Sequence, residues 1–167
     1  MTTDLHIDDA GVARCPWGVS TPDYVTYHDN EWGEPTTDER TLFEKLCLEG
    51  FQAGLSWLTI LRKREAFREA FNGFDCETVA ALSAADVDRL CDNERIIRNR
   101  RKIEATVHNA GKILELEESG GFETWLTGHP SAADRAKALR REFKFLGPAG
   151  IPVFLWMVGA EEDATDG

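Results

Sequence analysis

A chain of 167 residues, 42% of them hydrophobic, can bury one sizeable core but has no long spacer to separate two. Its net charge of −11 and pI near 4.8 exclude a uniformly basic surface, so a polyanionic partner would have to be met by a local patch. No apolar run approaches the roughly 18 residues of a membrane span, and Met1 to Asp9 is polar and acidic, so a soluble, cytoplasmic protein without a membrane partner is expected.

Acidic residues gather at both ends, which gives expected tails over 1–12 and 160–167 of a single domain spanning 1–167, with room for two lobes and a pocket between them. Thr37-Asp38-Glu39-Arg40 opens an apolar period of Leu42, Phe43, Leu46 and Cys47, predicting a helix that stops near Gly50. A second helix is predicted from Leu55 to about Phe71, a third from Asp75 to Leu82, and a fourth, capped by Ser83, through Leu90. Cys91-Asp92-Asn93-Glu94-Arg95 is a short polar break. Beyond it Ile96-Ile97, Ile103, Val107, Ala110 and Leu114 keep a helical period up to Gly120-Gly121. Shorter helices are predicted over Phe122 to Leu126, Asp134 to Glu142 and Pro152 to Val158. No segment alternates as a strand would, so the predicted class is all-α. Cys15, Cys47, Cys76 and Cys91 form no CxxC pair and read as reduced thiols.

The densest chemistry lies between Trp17 and Trp57, which holds three of the five tryptophans and both tyrosines. Trp17, Tyr24, Tyr27, Trp32 and Trp57 surround a single carboxylate, Glu49, in a stretch whose helical pattern is interrupted at Gly50 and Gly54. Such a set suits a pocket that stacks a flat ring and hydrogen-bonds its edge. Negative aromatic faces and a buried carboxylate favour a cationic ring, such as a damaged nucleobase. The competing reading is ordinary core, with Glu49 on a solvated helix face.

Basic residues form three islands, at Arg62-Lys63-Arg64 with Arg68, at Arg95, Arg98 and Arg100-Arg101-Lys102, and at Arg135 to Lys144. They make either one face for a polyanion or separate solvated helix surfaces with Glu partners. The break before the second island could present backbone N–H groups to a phosphate, or it could be a plain helix connection, since Asn93-Glu94-Arg95 has no glycine.

Five blocks resemble DNA-3-methyladenine glycosylase I in order and spacing. They are Arg14-Cys15-Pro16-Trp17, Tyr27-His28-Asp29-Asn30-Glu31-Trp32-Gly33, Leu48-Glu49-Gly50-Phe51-Gln52-Ala53-Gly54-Leu55-Ser56-Trp57, Arg95-Ile96-Ile97-Arg98-Asn99-Arg100 with Lys102-Ile103, and Phe143-Lys144-Phe145-Leu146-Gly147-Pro148. The resemblance runs from Arg14 to Gly159. It implies a helix-hairpin-helix glycosylase-like helical bundle and hydrolytic removal of 3-methyladenine from alkylated double-stranded DNA; that chemistry needs no cofactor, and a monomer is the default expectation. It further implies Glu49 and Tyr27 as the catalytic pair against the adenine, Trp57 as the stacking wall, and Trp17, Tyr24 and Trp32 as the aromatic surround. Gln52, Gly54 and Leu55 correspond to the loop that enters the duplex, with Leu55 filling the space of the extruded nucleotide. Cys91 to Lys102 becomes the hairpin, with Arg98, Arg100 and Lys102 as phosphate contacts.

Zinc-bearing relatives use a Cys and His near the N-terminus and a His and Cys after the last helix. Cys15 and His28 match the first pair, but Glu161 to Gly167 has neither residue, so no metal is expected and packing around Phe143 to Val158 is expected to replace it. Two other classes of function remain open on the residues alone. One is a noncatalytic sensor of alkylated bases, and the other is a bifunctional glycosylase and lyase, for which Lys63 and Lys102 are the candidate amines.

Overall fold

The computed structural model describes residues 4–160. A two-stranded antiparallel hairpin, β1 (His6–Ile7) and β2 (Ala13–Arg14), precedes a 3₁₀ turn at Pro16–Val19 and then ten α-helices among the described residues. These are α1 (Pro22–Asn30), α2 (Glu39–Gln52), α3 (Trp57–Arg62), α4 (Arg64–Ala70), α5 (Cys76–Ala80), α6 (Ala84–Cys91), α7 (Arg100–Glu117), α8 (Phe122–Thr127), α9 (Ala132–Glu142) and α10 (Gly150–Met157). The predicted all-α class is the observed one, the small hairpin apart. The last residues of the expected acidic tail, 161–167, lie outside the described residues.

Local chemistry sets most boundaries. Side chains of Thr21, Asp38, Ser56, Asp75, Ser83, Asn99 and Ser131 each accept a backbone N–H in the first turn of the helix that follows, and Ser83 with Asp86 forms a reciprocal capping box. The core is one continuous cluster centred on α2 and α7. Leu42, Phe43, Leu46, Cys47 and Phe51 of α2 face Ile103, Ala110 and Ile113 of α7, at the three- and four-residue spacing of a buried helix stripe. Phe51, Phe67, Phe71 and Phe74 pack as a chain of rings, with centroids 4.6 Å apart for Phe51 and Phe67 and 5.7 Å for Phe71 and Phe74.

Three predicted helix boundaries need correction. Helix α2 runs through Gly50 to Gln52, and the chain leaves it at Ala53, followed by Gly54, whose φ of +82° suits glycine. Gly50 is buried inside the helix against Phe145, whose Cβ would lie 3.5 Å from a Cβ built on the glycine, an ordinary contact. The predicted helix over Leu55 to Phe71 is two helices, broken at Lys63, whose ψ of 0° ends α3 and starts α4. Ile96 and Ile97 belong to the turn before α7 rather than to the helix, with Ile96 buried beneath the turn. Helix α1 and the β-hairpin were not anticipated. Part of the expected N-terminal tail is therefore folded, with Asp8 holding the hairpin turn through its bonds to Ala10 and Val12 N–H.

Candidate active site

Helix α1 sets Tyr24 and Tyr27 three residues apart on one face, and Thr21 and Pro22 fix where that face begins. The 3₁₀ turn supplies Trp17, the segment after α1 supplies Trp32, and α3 opens on Trp57. Together with Gln52, Val153 and Met157 these residues line a cavity of about 200 Å³, on the scale of one ring system. Trp17 meets Trp32 edge-on at 5.1 Å and Tyr24 at 5.7 Å, and Tyr27 lies 5.5 Å from Trp57. Tyr27 is only 3% exposed. Its hydroxyl and the Trp57 indole N–H are both buried without a hydrogen-bond partner.

Two ionic ties hold these walls from behind. Arg64 of α4 donates to both carboxylate oxygens of Glu31 at 2.7 Å, fastening the end of α1. Lys45 of α2 donates to the Met157 carbonyl at 3.0 Å, fastening the end of α10. Burial, and then the nearby Glu31 and Glu49 charges, push the Tyr27 phenol well above its ordinary value, so it is a neutral donor at any physiological pH.

Glu49 sits in the last turn of α2 and is 6% exposed. Burial raises its carboxyl to about 7. With its amide turned so that nitrogen faces the carboxylate, Gln52 donates to both Glu49 oxygens at 2.9 Å. Gln52, and not Glu49, is the residue that lines the cavity, so the amide stands between the carboxylate and the ring space. Gly150 leaves room on the other side, since a Cβ there would come within 3.2 Å of a Glu49 oxygen.

Beside the cavity mouth, Gly54 turns the chain and Leu55 is 42% exposed. Arg98 and Arg100 are surface residues that share their charge with neighbouring acids, Arg98 with Glu94 at 3.9 Å and Arg100 with Asp88 and, at 3.6 Å, Glu104. Lys102 differs from its predicted role. Its side chain turns inward, is 6% exposed, and donates to the Phe51 and Ala53 carbonyls at 2.8 and 2.7 Å, so it offers no free ammonium to a phosphate.

Residues 17–141 match the family model described as methyladenine glycosylase. The chain is 40% identical to the DNA-3-methyladenine glycosylase of Haemophilus influenzae, with 90% of this chain and 93% of that protein covered, and 40% identical to DNA-3-methyladenine glycosylase 1 of Escherichia coli K12, with 92% and 94% covered. A crystal structure of 3-methyladenine DNA glycosylase I superposes with a TM-score of 0.83 at 41% identity over 90% of this chain and 94% of the other. The Staphylococcus aureus enzyme, solved for the structural basis of 3-methyladenine recognition, superposes equally well at 37% identity, covering 89% and 91%. The chain belongs to the methyladenine glycosylase family. It is accordingly a DNA glycosylase.

The structural zinc of some methyladenine glycosylases does not fit the residues present. No group of three or more His, Cys, Asp and Glu able to hold a metal occurs among the described residues. His28 has both ring nitrogens engaged, accepting from the Cys15 N–H at 3.3 Å through Nε2 and facing Asp29 Oδ1 at 3.1 Å through Nδ1. Asp29 is in turn bridged to Asp8 by Arg14, which ties the hairpin to α1 by ionic contacts. Gly18 permits this close fit, because a Cβ there would lie 2.7 Å from the His28 ring.

All five aromatic candidates and Gln52 therefore meet at one cavity, with Glu49 directly behind. Val153 and Met157 of α10 were missed. Their segment is uniformly apolar, so nothing in its pattern separates a residue facing a cavity from one facing the core.

Proposed function

We propose that this methyladenine glycosylase hydrolyses the N-glycosidic bond of 3-methyladenine in alkylated double-stranded DNA, taking the base out of the duplex into the aromatic cavity. The observation that carries the reading is the combination of five aromatic rings with one deeply buried carboxylate at a ring-sized space. Methylation at N3 makes the purine cationic while it is still attached to the sugar, so the leaving group departs with little acid catalysis. Trp57 stacks on the ring, the neutral Tyr27 hydroxyl donates to it, and Glu49 as the anion accepts from its edge and offsets its charge. Water then adds to the anomeric carbon as the bond to the base breaks, and its proton passes to solvent. The work left to the protein is extrusion and holding, which orientation supplies.

Glu49 becomes available to the base when the Gln52 amide leaves it. The same movement would carry the loop of Gln52, Gly54 and Leu55 toward the duplex, where the exposed Leu55 fills the vacated stack. Arg98, in the turn before α7, and Arg100, its first residue, are the proposed phosphate contacts, exchanging their acidic neighbours for the backbone. A lyase step needs a free amine in the pocket, and neither candidate supplies one. Lys102 is held by two carbonyls, and Lys63 donates to the Arg95 carbonyl at 3.3 Å. The protein is proposed to act as a cytoplasmic monomer without a cofactor. No helix among the described residues is long and apolar enough to cross a membrane. Release of free base from methylated duplex, with strand nicking measured before and after alkali, tests the reading. Hydrolysis without lyase activity gives base release and alkali-dependent nicks, whereas a sensor gives neither.

A further inference from the structure

We propose that Lys102 is a positioning residue that fixes the end of α2, and with it Glu49, Gln52 and Leu55, against the first turn of the hairpin's second helix. The inference deepens the glycosylase reading and rests on it. Helix α2 ends at Gln52, and Ala53, with ψ of 116°, leaves the helix directly ahead of the turn at Gly54. The carbonyls of its last turn consequently lack intrahelical partners. Lys102 Nζ donates to the Phe51 carbonyl in that turn and to the Ala53 carbonyl just beyond it, the residues on either side of Gln52. A cation is also favoured at this end of the helix dipole.

The lysine reaches this place because Asn99 caps α7 through the Lys102 N–H, setting the side chain on the inner face of the first turn. Its charge is met by carbonyls and by no carboxylate among the described residues. That is a costly way to bury an ammonium if any apolar residue would pack as well, and desolvation lowers its affinity for the proton accordingly. One side chain thus joins the start of α7, with Arg100 and the preceding Arg98, to the segment that carries the base-recognition groups. Duplex docked on the hairpin is thereby held in register with the pocket. Misplacement of reacting groups by about 1 Å costs on the order of a hundredfold in rate.

The experiment compares Lys102→Met and Lys102→Arg with the parent, using methylated and unmethylated duplex. For Lys102→Met the expected result is a tenfold to hundredfold lower single-turnover release of base, with unchanged affinity for unmethylated duplex and an unchanged salt slope. Amide exchange over residues 51–56 should be faster, and Lys102→Arg should recover part of the rate. A salt slope reduced by about one unit would make Lys102 a phosphate contact and overturn the proposal. A parental release rate in folded Lys102→Met would overturn it as well. If Lys102→Met does not fold, Lys102→Gln, which keeps a donor on a shorter stem, is judged by the same rate and slope. A parent that releases no base would refute the glycosylase reading instead, and the exchange rates at 51–56 would still decide whether Lys102 fixes the end of α2.

Discussion

Glu49→Gln removes the ionisable group of the pocket while keeping its shape. Burial lifts the Glu49 carboxyl from an ordinary 4.5 to about 7. Between these values the folded protein holds a proton that the unfolded chain releases, so this contribution to stability is complete below pH 4.5 and is lost as pH rises through about 7. At about 1.4 kcal/mol per pH unit, the gap amounts to about 3 kcal/mol. The Gln52 amide at 2.9 Å favours the anion and reduces that loss, which leaves an expected difference of about 1–3 kcal/mol. Urea melts of parent and Glu49→Gln at half-unit steps from pH 5 to 8 should therefore diverge, the variant becoming the more stable as pH increases. Over the same range, kcat/KM of the parent should rise toward a plateau above about pH 7, because the anion is the form that accepts from the cationic base. The variant should be much slower and flat. Parallel stability curves for the two proteins would refute the assignment of a buried, proton-holding Glu49.

Trp57→Ala should lower single-turnover release by roughly 5- to 150-fold, the equivalent of about 1–3 kcal/mol of base stacking, while gel-shift affinity for unmethylated duplex stays near the parental value. Removing charge at Arg98 and Arg100 together should weaken binding to methylated and unmethylated duplex alike and flatten the salt slope by roughly two units, and an unaltered slope would show that both arginines face only their acidic neighbours. Elemental analysis of the purified protein should find no stoichiometric zinc, and Cys15→Ser should keep most of the activity. One tightly held zinc per chain, with unfolding on chelation, would contradict both expectations.

Sequence pattern revealed the lining of the cavity better than its supports. Tyr24, Tyr27, Trp17, Trp32 and Trp57 could be grouped because aromatic residues at that density exceed what a short core segment needs, and the observed cavity gathers all five. Helix α1 was hidden by the same residues, since aromatics chosen for a pocket do not leave the clean apolar stripe of a core helix. Gly50 read as a helix stop because the contact it makes with Phe145, from almost a hundred residues later, is invisible locally. Lys102 misled for a related cause. In sequence it is one more cation after Arg100-Arg101, and only the crossing of α7 over the end of α2 turns it inward. The hairpin was overlooked because two-residue strands have no period to detect.

The most direct test of the central claim is single-turnover incubation of the purified protein with methylated duplex DNA, with the released bases separated and identified by mass. The account predicts free 3-methyladenine, with abasic sites that nick only on alkali treatment, and strong loss of that release in Trp57→Ala. Retention of every methylated base in the duplex, or release that is indifferent to Trp57, would contradict it.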